Sequence, residues 1–323
     1  MSTPARASAK PGRMRTRELG RSGIHLSEVS LGTWGFAGAY GPLADDVQRA
    51  IVEEALTAGI TTFDAAPLWG DGAVERLLGE ALAGHDDVQR ITRGGARFED
   101  DRVVKGFGTD ALRADLEGSL ERLAVDRVDV WLLHDPPEHV LREDALHDAL
   151  ATFAQEGLFR VWGVSTTDAD VGRMAIARGA KALCVPHNLF ARDLVAELAT
   201  ELEVAGCGLL ARSPLLHGLL AGRWTEYRQF GEEDHRRERW STRTLGIRVR
   251  QTNTLRFLVR GEVSTMAAAA LRYVLAEDAV TTCLVGARRP VQARDAARIV
   301  GEPPYLPEGD LERLTSVLAS MGA

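Results

Sequence analysis

Short apolar runs rich in β-branched residues alternate with longer segments of helical spacing from about residue 25 onward. About eight of the short runs predict strands: HLSEVSLG from 25, TTFDAA from 61, VQRITRGG from 88, VDVWLLHD from 128, VWGVST from 161, ALCVPHN from 182, CGLLARSP from 207 and TTCLVGA from 281. Strands that alternate with helices are typical of βαβ units and a parallel sheet. Because eight such units close a barrel, the pattern predicts a single α/β domain of the (β/α)8 TIM-barrel type.

The helical segments carry recognisable end signals. In DDVQRAIVEEALTAG the apolar residues at positions 47, 51, 52, 55 and 56 form one stripe, and Gly59 follows as a C-cap would. Thr109 opens TDALRADLEGSLERL as a candidate N-cap, and Gly179 closes TTDADVGRMAIARGA. Each helix is therefore expected to cover one face of the barrel.

One long segment interrupts the alternation. Residues 223–262 are charged and contain no clear strand, and they follow the seventh predicted strand. Insertions of this length are more often functional than idle. In a barrel this insertion would overhang the C-terminal end of the strands, where active sites lie.

Composition and charge restrict the class of partner. The chain has 323 residues, of which 45% are hydrophobic and 26% charged, so a sizeable core can be buried. A formal net charge of -7 argues against a general electrostatic grip on nucleic acid or on an anionic membrane. A small neutral or anionic molecule is the better candidate.

The cysteines and the N-terminus bear on the compartment. Cys184, Cys207 and Cys283 lie far apart in apolar runs, which favours reduced, buried thiols and a cytoplasmic protein. Residues 1–13 are small, polar and basic and lack an apolar signal region, so we expect a disordered tail ahead of one domain over 14–323. No apolar run reaches the roughly 18 residues of a spanning helix.

Several motifs resemble a known family by their order and spacing. They are RELGRSGIHLSEVSLGTWGF, TTFDAAPLWGDGAVERLLGEAL, VDVWLLHDP, WGVSTTD, SPLLHGLLAGRW and TTCLVGARRPVQARDAARI, and together they cover essentially residues 14 to 320. In this order they resemble the aldo-keto reductases. The resemblance implies a (β/α)8 barrel with an N-terminal hairpin. It also implies a reductase that binds NADPH across the barrel mouth and transfers a hydride to a carbonyl.

The family's four catalytic residues, Asp, Tyr, Lys and His, are matched at only two positions. Asp64 in FDAAP and His134 in LLHDP correspond to the family's Asp and His. Trp69 stands where the family carries its proton-donating tyrosine, and Arg93 stands where it carries its lysine. The resemblance therefore implies an altered catalytic tetrad.

The two replacements change what the site can do with protons. An indole N–H donates a hydrogen bond but not its proton, so Trp69 cannot act as a general acid. Arg93 could still pair with Asp64, but a pKa above about 12 gives it no acid-base role at neutral pH. Loss of a general acid commonly costs on the order of 10² to 10⁴ in rate, so hydride transfer by the family mechanism should be weak or absent.

Three sources of a replacement proton remain open. His134, whose unperturbed pKa is near 6.5, is the simplest candidate. Tyr40, in the loop after the first strand, could turn a phenol inward, and the insertion offers Tyr227 or His235. The alternative for each is structural: a histidine bonded at a strand end, a tyrosine that packs a loop, or a solvated surface.

The resemblance also implies a cofactor site that is partly changed. Ser165 and Thr166 stand in place of the family's Ser-Asn pair, and Cys184 stands in place of its glutamine, so the nicotinamide amide loses part of its clamp. His187 stands where the family stacks an aromatic ring on nicotinamide. The resemblance therefore implies that only part of the family's contacts with the nicotinamide end of the dinucleotide remain.

The phosphate end is better conserved with respect to the family pattern. Ser213, Leu215 and Gly218 in SPLLHG resemble its pyrophosphate loop. Two arginines suit the 2′-phosphate of NADP, with NAD as the alternative cofactor, and two further residues would face adenine: Arg288 and Arg289, and then Gln292 and Asp295. The alternative is that the two arginines are ordinary surface charges.

The remaining candidates are few. Trp34 and Trp69 are expected to line the substrate pocket, whereas Trp131 within the fourth strand should fill the core. The histidines show no HxxxH, CxxC or HExxH spacing, so no metal site is expected.

The leading hypothesis is an NADP-linked oxidoreductase with altered proton transfer. Two alternatives stay open: a non-redox enzyme such as a dehydratase, lyase or cyclase on the same barrel, and a cofactor-binding protein without turnover. The substrate and the oligomeric state are not predicted.

Overall fold

Twelve strands form a closed barrel and two small hairpins in the computed structural model, which describes residues 14–99 and 102–321. In chain order the strands are β1 (Thr16–Glu18), β2 (His25–Ser27), β3 (Val29–Gly32), β4 (Thr62–Asp64), β5 (Gln89–Gly94), β6 (Ala96–Glu99), β7 (Arg102–Lys105), β8 (Val128–His134), β9 (Phe159–Ser165), β10 (Ala182–Pro186), β11 (Gly208–Arg212) and β12 (Val280–Gly286). The barrel is closed and parallel, in the order β10-β11-β12-β3-β4-β5-β8-β9. The predicted (β/α)8 barrel is confirmed.

Eleven α-helices accompany the strands over the described residues. They are α1 (Asp45–Thr57), α2 (Ala73–Ala81), α3 (Thr109–Leu123), α4 (Asp144–Gln155), α5 (Ala169–Ala177), α6 (Asp193–Ala205), α7 (Arg236–Arg239), α8 (Thr242–Thr254), α9 (Met266–Ala276), α10 (Pro290–Ile299) and α11 (Glu308–Ser320). The barrel helices bury an apolar stripe against the strands, as for Ile51, Val52 and Ala55 of α1.

Two of the three predicted helix ends agree with the structure. Gly59 and Gly179 lie one residue beyond the C-caps of α1 and α5, with φ of 87° and 94°, a left-handed conformation that glycine adopts without steric cost. Thr109 is not an N-cap. It is the first helical residue of α3, and the extended residue before it is Gly108, with no side-chain cap.

The first predicted strand is two strands. β1 and β2 form an antiparallel hairpin, and β3 alone enters the barrel. Glu28 separates β2 from β3, and its buried carboxylate accepts hydrogen bonds from Arg15, Arg17 and the hydroxyl of Tyr305. This buried ionic group interrupts what the apolar pattern presents as one run.

Alternation along the strands decides which side chains enter the barrel. Ile91, Val130, Leu132, Cys184 and Leu210 belong to one buried cluster inside it, with Leu19, Ile24 and Leu26 of the hairpin segment. Because side chains alternate along a strand, the residue two positions after each inner residue also faces inward. The inner residues at the carboxyl ends are therefore Arg93 after Ile91, His134 after Leu132 and Arg212 after Leu210.

Two segments outside the barrel strands lie at the carboxyl end of the barrel. The sequence did not predict the β6–β7 hairpin, which is antiparallel and directly follows β5. The insertion after β11 contains α7 and α8 and no strand over its described residues. Its Asp234 forms an isolated bridge with Tyr40, and the N–H of His235 donates to the carbonyl of Ala39 at 3.0 Å. The insertion thus contacts the loop after β3, which lies at the end of the barrel that the insertion was expected to overhang.

Three further expectations concern the rest of the chain. Cys184, Cys207 and Cys283 are free and buried, as the sequence suggested. Across residues 14–99 and 102–321, no helix is both long and apolar enough to cross a membrane. The expected disordered tail over 1–13 lies outside the described residues.

Candidate active site

Asp64 and Arg93 form a buried ion pair at the mouth of the barrel. The Arg93 Nη1 donates to Asp64 Oδ1 at 2.6 Å and to the carbonyl of Ala65 at 2.6 Å, and both side chains are 3% exposed. Burial raises the pKa of the Asp64 carboxyl, although the Arg93 charge opposes this rise. Burial alone would lower the pKa of Arg93, but Asp64 raises it, so the guanidinium stays charged. The predicted pairing is present.

Trp69 and Cys184 contact the same guanidinium. The Arg93 Cζ lies 4.9 Å from the centre of the Trp69 ring, a cation–π contact, and Arg93 Nη2 donates to Cys184 Sγ at 3.6 Å. Burial raises the pKa of the Cys184 thiol, so this group stays neutral. Arg93 thus holds Asp64, Trp69 and Cys184 together.

His134 ends β8 and enters the same mouth. Burial, followed by the charge of Arg93, lowers the pKa of His134 to about 3. Its Nδ1 is buried and has no hydrogen-bond partner among the described residues. This environment favours a neutral imidazole that donates a hydrogen bond over an imidazolium that releases a proton at neutral pH. The role of His134 as the source of the proton stays a prediction.

Tyr40 belongs to an aromatic cluster at the rim, composed of Trp34, Tyr40, His217 and His235. Its hydroxyl lies 3.3 Å from His217 Nδ1, and its ring lies 5.5 Å from the Trp34 ring. Burial raises the pKa of Tyr40 to about 12. The phenol is therefore held in the rim cluster, where burial makes it a weaker acid than an ordinary tyrosine. Its role as a replacement acid stays a prediction.

The insertion does not supply a free acid either. Tyr227 is 83% exposed, so its hydroxyl is in contact with solvent. The His235 ring packs at 4.7 Å on Trp34 as part of the rim cluster, and burial lowers its pKa. Trp34 is half-buried between the loop and the insertion, at the edge of the mouth where a pocket residue would lie.

The chain also matches a known protein family. A model of the Aldo/keto reductase family matches residues 28–319. The chain belongs to the aldo-keto reductase family. It is 31% identical over 308 residues to the L-glyceraldehyde 3-phosphate reductase of Escherichia coli K12, a match that covers 88% of this chain and 87% of that protein. It is 25% identical over 298 residues to an aldo-keto reductase of Bacillus subtilis, with 89% of each chain covered.

Solved structures of aldo-keto reductases share the architecture. The glycerol dehydrogenase of Gluconobacter oxydans superposes with a TM-score of 0.84 at 26% identity and covers 95% of each chain. An aldo-keto reductase of Bacillus halodurans, solved in its holo form, shares the fold with a TM-score of 0.79 at 24% identity, over 94% of this chain and 96% of that one.

The end of an aldo-keto reductase site that would hold nicotinamide is only partly suitable here. Ser165 ends β9 on the inner face, 5% exposed. The Thr166 hydroxyl accepts a hydrogen bond from the N–H of Asp168 at 3.0 Å, so it stabilises the local turn. The Cys184 Sγ already accepts a hydrogen bond from Arg93 Nη2. Of the three predicted contacts, Ser165 alone keeps a position and a chemistry that suit an amide.

His187 cannot stack on a nicotinamide ring. The side chain is 2% exposed, and its ring stacks on Tyr273 of α9 with centroids 5.6 Å apart. Side chains alternate between the two faces of a strand, and Cys184 of β10 faces inward. His187 lies three residues later and therefore faces the surrounding helices. This prediction from the family pattern was wrong.

The predicted phosphate loop has an unusual backbone. Ser213, Leu216, His217 and Gly218 all have positive φ, of 56°, 44°, 56° and 95°. A Cβ on Gly218 would also come within 3.3 Å of Trp224. Successive left-handed residues can aim backbone N–H groups to one side, an arrangement that binds phosphate. Leu215 precedes this turn, half-buried. The N–H groups of Leu216 and Gly218 donate to the carbonyls of Ser213 and Leu215, both at 2.9 Å, so these two groups close the turn. The pyrophosphate role of the loop stays a prediction.

The predicted adenosine residues divide into two groups. The Arg288 guanidinium donates to the carbonyls of Gly41 and Pro42 at 2.6 and 2.8 Å, so it holds the loop after β3 and is not a free phosphate ligand. Gln292 accepts from the Arg288 N–H at 2.8 Å. Arg289 and Asp295 are exposed on α10, with Arg289 at the N-cap, where a phosphate would be favoured. The residues present fit the phosphate end of a dinucleotide.

Sequence reasoning missed two charged residues of the mouth. Arg212 ends β11 on the inner face, and its signal was present: in CGLLARSP it lies two residues after an apolar inner position. Lys105 belongs to the unpredicted hairpin, and its Nζ donates to Asp135 Oδ2 at 2.8 Å. Asp135 is therefore paired with Lys105 at the end of β8. No group of three or more metal-ligating side chains occurs within the described ranges.

Proposed function

We propose that this aldo-keto reductase is an NADP-dependent oxidoreductase that acts on a carbonyl or alcohol substrate with an altered set of catalytic residues. One observation carries the proposal: Asp64, Arg93, Trp69 and His134 meet at the carboxyl end of one barrel, where such barrels do their chemistry. We further propose that its partner is a small molecule rather than nucleic acid or membrane, and that it works in the cytoplasm.

The cofactor would be held mainly at its phosphate end. Arg289 and the 213–218 loop suit the phosphates, Asp295 and Gln292 lie on the adjoining helix, and Ser165 suits the amide. When bound, the reduced nicotinamide supplies a hydride to the carbonyl carbon. The protein residues must then stabilise the negative charge that develops on the oxygen.

In this proposal electrostatic stabilisation takes the place of proton donation. A neutral His134 donates a hydrogen bond to the carbonyl oxygen, as neutral imidazoles do in other enzymes. Arg93, kept charged by Asp64, adds a buried positive charge nearby. Water supplies the proton afterwards, because neither Trp69 nor Arg93 releases one at neutral pH.

The substrate class follows from the relatives. One relative is a reductase of L-glyceraldehyde 3-phosphate, and one structural neighbour is a glycerol dehydrogenase. We therefore propose a small hydroxylated aldehyde or ketone, or the corresponding alcohol.

The test has two stages. Titration of the purified protein with NADPH, followed by nicotinamide fluorescence, should show saturable binding, and NADH should bind more weakly. A panel of aldehydes and ketones, followed at the nicotinamide absorbance, should then show slow turnover. The double variant Trp69→Tyr with Arg93→Lys restores the family pair and should be faster. Absence of NADPH binding would refute the proposal.

A second function is favoured by one observation. Neither His134, with its pKa of about 3, nor Tyr40, with its pKa of about 12, is a proton donor matched to neutral pH. This favours cofactor binding without turnover, or a non-redox reaction in which Arg93 and His134 polarise a carbonyl. Saturable NADPH binding without oxidation in the presence of any carbonyl compound would support the first, and no dinucleotide binding the second.

A further inference from the structure

Lys105 is a lysine at the barrel mouth in a chain whose cations are nearly all arginines. Three lysines, Lys10, Lys105 and Lys181, occur among the 39 lysine and arginine residues. Lys181 comes directly before β10, at the amino end of the barrel, and Lys10 lies outside the described residues. A guanidinium keeps its proton at neutral pH, whereas an ammonium can release one to a stronger base. Lys105 therefore brings to the mouth a cation that can act as an acid.

Hydrogen bonds hold the Lys105 ammonium beside His134. Its Nζ donates to the backbone carbonyl of Asp135 at 2.6 Å and to Asp135 Oδ2 at 2.8 Å, and Asp135 directly follows His134. The Asp135 N–H donates in turn to the carbonyl of Ser165 at 2.8 Å, which fixes the acceptor. Along the connecting bonds, the distance from Nζ to the His134 Cα is at most about 9 Å. One or two water molecules can span the gap between the ammonium and an oxygen bonded to His134.

The ammonium is close to both the site and the solvent. Burial and then the charge of Arg93 lower the pKa of His134, and the charge of Lys105 lowers it further, so the ammonium lies within electrostatic reach of the imidazole. Its contacts within the described residues use two of its three N–H bonds, so one remains for a water molecule. The Lys105 side chain is also 40% exposed. An acid that gives up a proton in every turnover must regain one, and this exposure lets solvent return it.

Other hydrogen donors of the mouth are less suited to this task. Burial raises the pKa of Tyr40 to about 12, and the rim cluster holds its hydroxyl 3.3 Å from His217 Nδ1. The Cys184 thiol is fully buried, so solvent does not reach it to return a proton. An ammonium and a phenol are acids of nearly equal strength in water. Lys105 thus offers, from the β6–β7 hairpin, an acid like the one that the tyrosine of the family pattern would provide.

We propose that Lys105 delivers the proton, through a bridging water molecule, to the oxygen of the reduced substrate. The inference rests on the proposed function, in which His134 and Arg93 stabilise that oxygen and water supplies the proton. After hydride transfer to the carbonyl carbon, the π-electron pair lies on the oxygen, which takes a proton from the water while the water takes one from Lys105. The resulting neutral amine regains a proton from solvent, so no charge or atom is left over.

The kinetic test removes the transferable proton and keeps the charge. Lys105→Arg can still pair with Asp135, but its guanidinium releases no proton at neutral pH. For an aldehyde that the wild type reduces, kcat should fall about tenfold to hundredfold, with KM and NADPH affinity within about twofold, because bulk water replaces only part of a general acid. Lys181→Arg makes the same exchange at the far end of the barrel and should keep the wild-type kcat. If Lys105 acted only through its charge or by holding Asp135, Lys105→Arg would keep the wild-type rate, and that result would overturn the inference.

Added amines test the proton separately from the charge. In Lys105→Ala, methylammonium should restore part of the lost kcat in a saturable way, because it brings a transferable proton into the space of the missing side chain. Tetramethylammonium carries the same charge without an N–H bond and should not restore it. Rescue by both ions would mean that charge alone matters, and rescue by neither would mean that no proton is taken from this position; either result contradicts the inference. Circular dichroism establishes that each variant is folded.

A readout without turnover uses the scarcity of lysine. With ¹³C at the lysine Cε, the protein gives one NMR signal for each of its three lysines, and Lys105→Arg identifies the signal of Lys105. At pH 7 this signal should be that of an ammonium, and glycerol, an alcohol of the proposed substrate class, should shift it more than the Lys181 signal when added with NADP⁺. A neutral amine, or equal shifts of the two signals, would remove Lys105 as the donor. If NADPH does not bind or no aldehyde is reduced, the proposed function fails, and the response of the two lysine signals to glycerol alone then decides about Lys105.

Discussion

The buried ion pair gives the sharpest test of the site's energetics. Asp64→Asn keeps the shape of the side chain and leaves Arg93 with a buried, uncompensated charge. The two atoms of the pair are 2.6 Å apart and each side chain is 3% exposed. Removal of one partner from such a pair costs about 3–5 kcal/mol, a large share of a typical unfolding free energy of about 5–15 kcal/mol.

A second ion pair of the same mouth provides the control. Lys105 and Asp135 are 2.8 Å apart, nearly the same separation, but their side chains are 40% and 56% exposed. Asp135→Asn should therefore lower the free energy of unfolding by only about 0–1 kcal/mol, because water screens the charges of an exposed pair and solvates Lys105 once its partner is removed. The comparison varies burial while the type of interaction stays the same.

Urea unfolding at pH 7, followed by tryptophan fluorescence and by circular dichroism, measures both costs. The midpoint should fall clearly for Asp64→Asn, with the m-value unchanged. The double variant Asp64→Asn with Arg93→Met removes both charges and should recover most of the loss. Equal costs for Asp64→Asn and Asp135→Asn would refute the reasoning, because they would mean that the Asp64 carboxyl is already protonated in the folded protein.

Three further predictions concern the groups around this pair. The unfolded imidazole of His134 binds a proton below about pH 6.5 and the folded one only below about pH 3, so stability should fall as pH drops through this window. His134→Gln should reduce that fall by up to about 1.4 kcal/mol per pH unit, measured by urea midpoints from pH 6 to pH 4; an unchanged slope would contradict the assignment. Tyr40→Phe should leave kcat within about twofold, because a phenol with a pKa of about 12 is a poor acid; a loss of on the order of 10² would make it the donor. Arg288→Ala should speed amide hydrogen exchange at residues 39–42, whereas Arg289→Ala should leave it unchanged and weaken NADPH binding instead.

The barrel was predictable because its strands are encoded locally. Each inner strand is a short apolar run between helices, and this alone predicts eight parallel units. The resemblance implied the N-terminal hairpin, but the apolar pattern did not show the division at Glu28, because the tyrosine that stabilises this buried carboxylate comes from the far end of the chain. The β6–β7 hairpin was missed because it is short and polar, with Phe98 and Val103 exposed rather than buried.

The candidate site divides in the same way. Asp64, Arg93 and His134 follow inner apolar residues at strand ends, so the sequence could place them together. The same alternation predicts that Arg212 faces inward and that His187 faces outward. The resemblance to the family gave a different interpretation for His187 and none for Arg212. The bonds from Arg288 to the carbonyls of Gly41 and Pro42 span almost the whole chain, and no local signal encodes them.

By the resemblance to the family, three residues in contact with one another replace the family's usual ones. They are Arg93, Trp69, whose ring centre lies 4.9 Å from Arg93 Cζ, and Cys184, whose Sγ lies 3.6 Å from Arg93 Nη2. Substitutions in contact do not contribute independently to stability or activity. Reverting only one of the three would leave the other two packed against a side chain of different shape. The altered set of residues that we propose therefore works as one unit, and variants that revert a single residue should perform worse than the protein with all three or with none reverted.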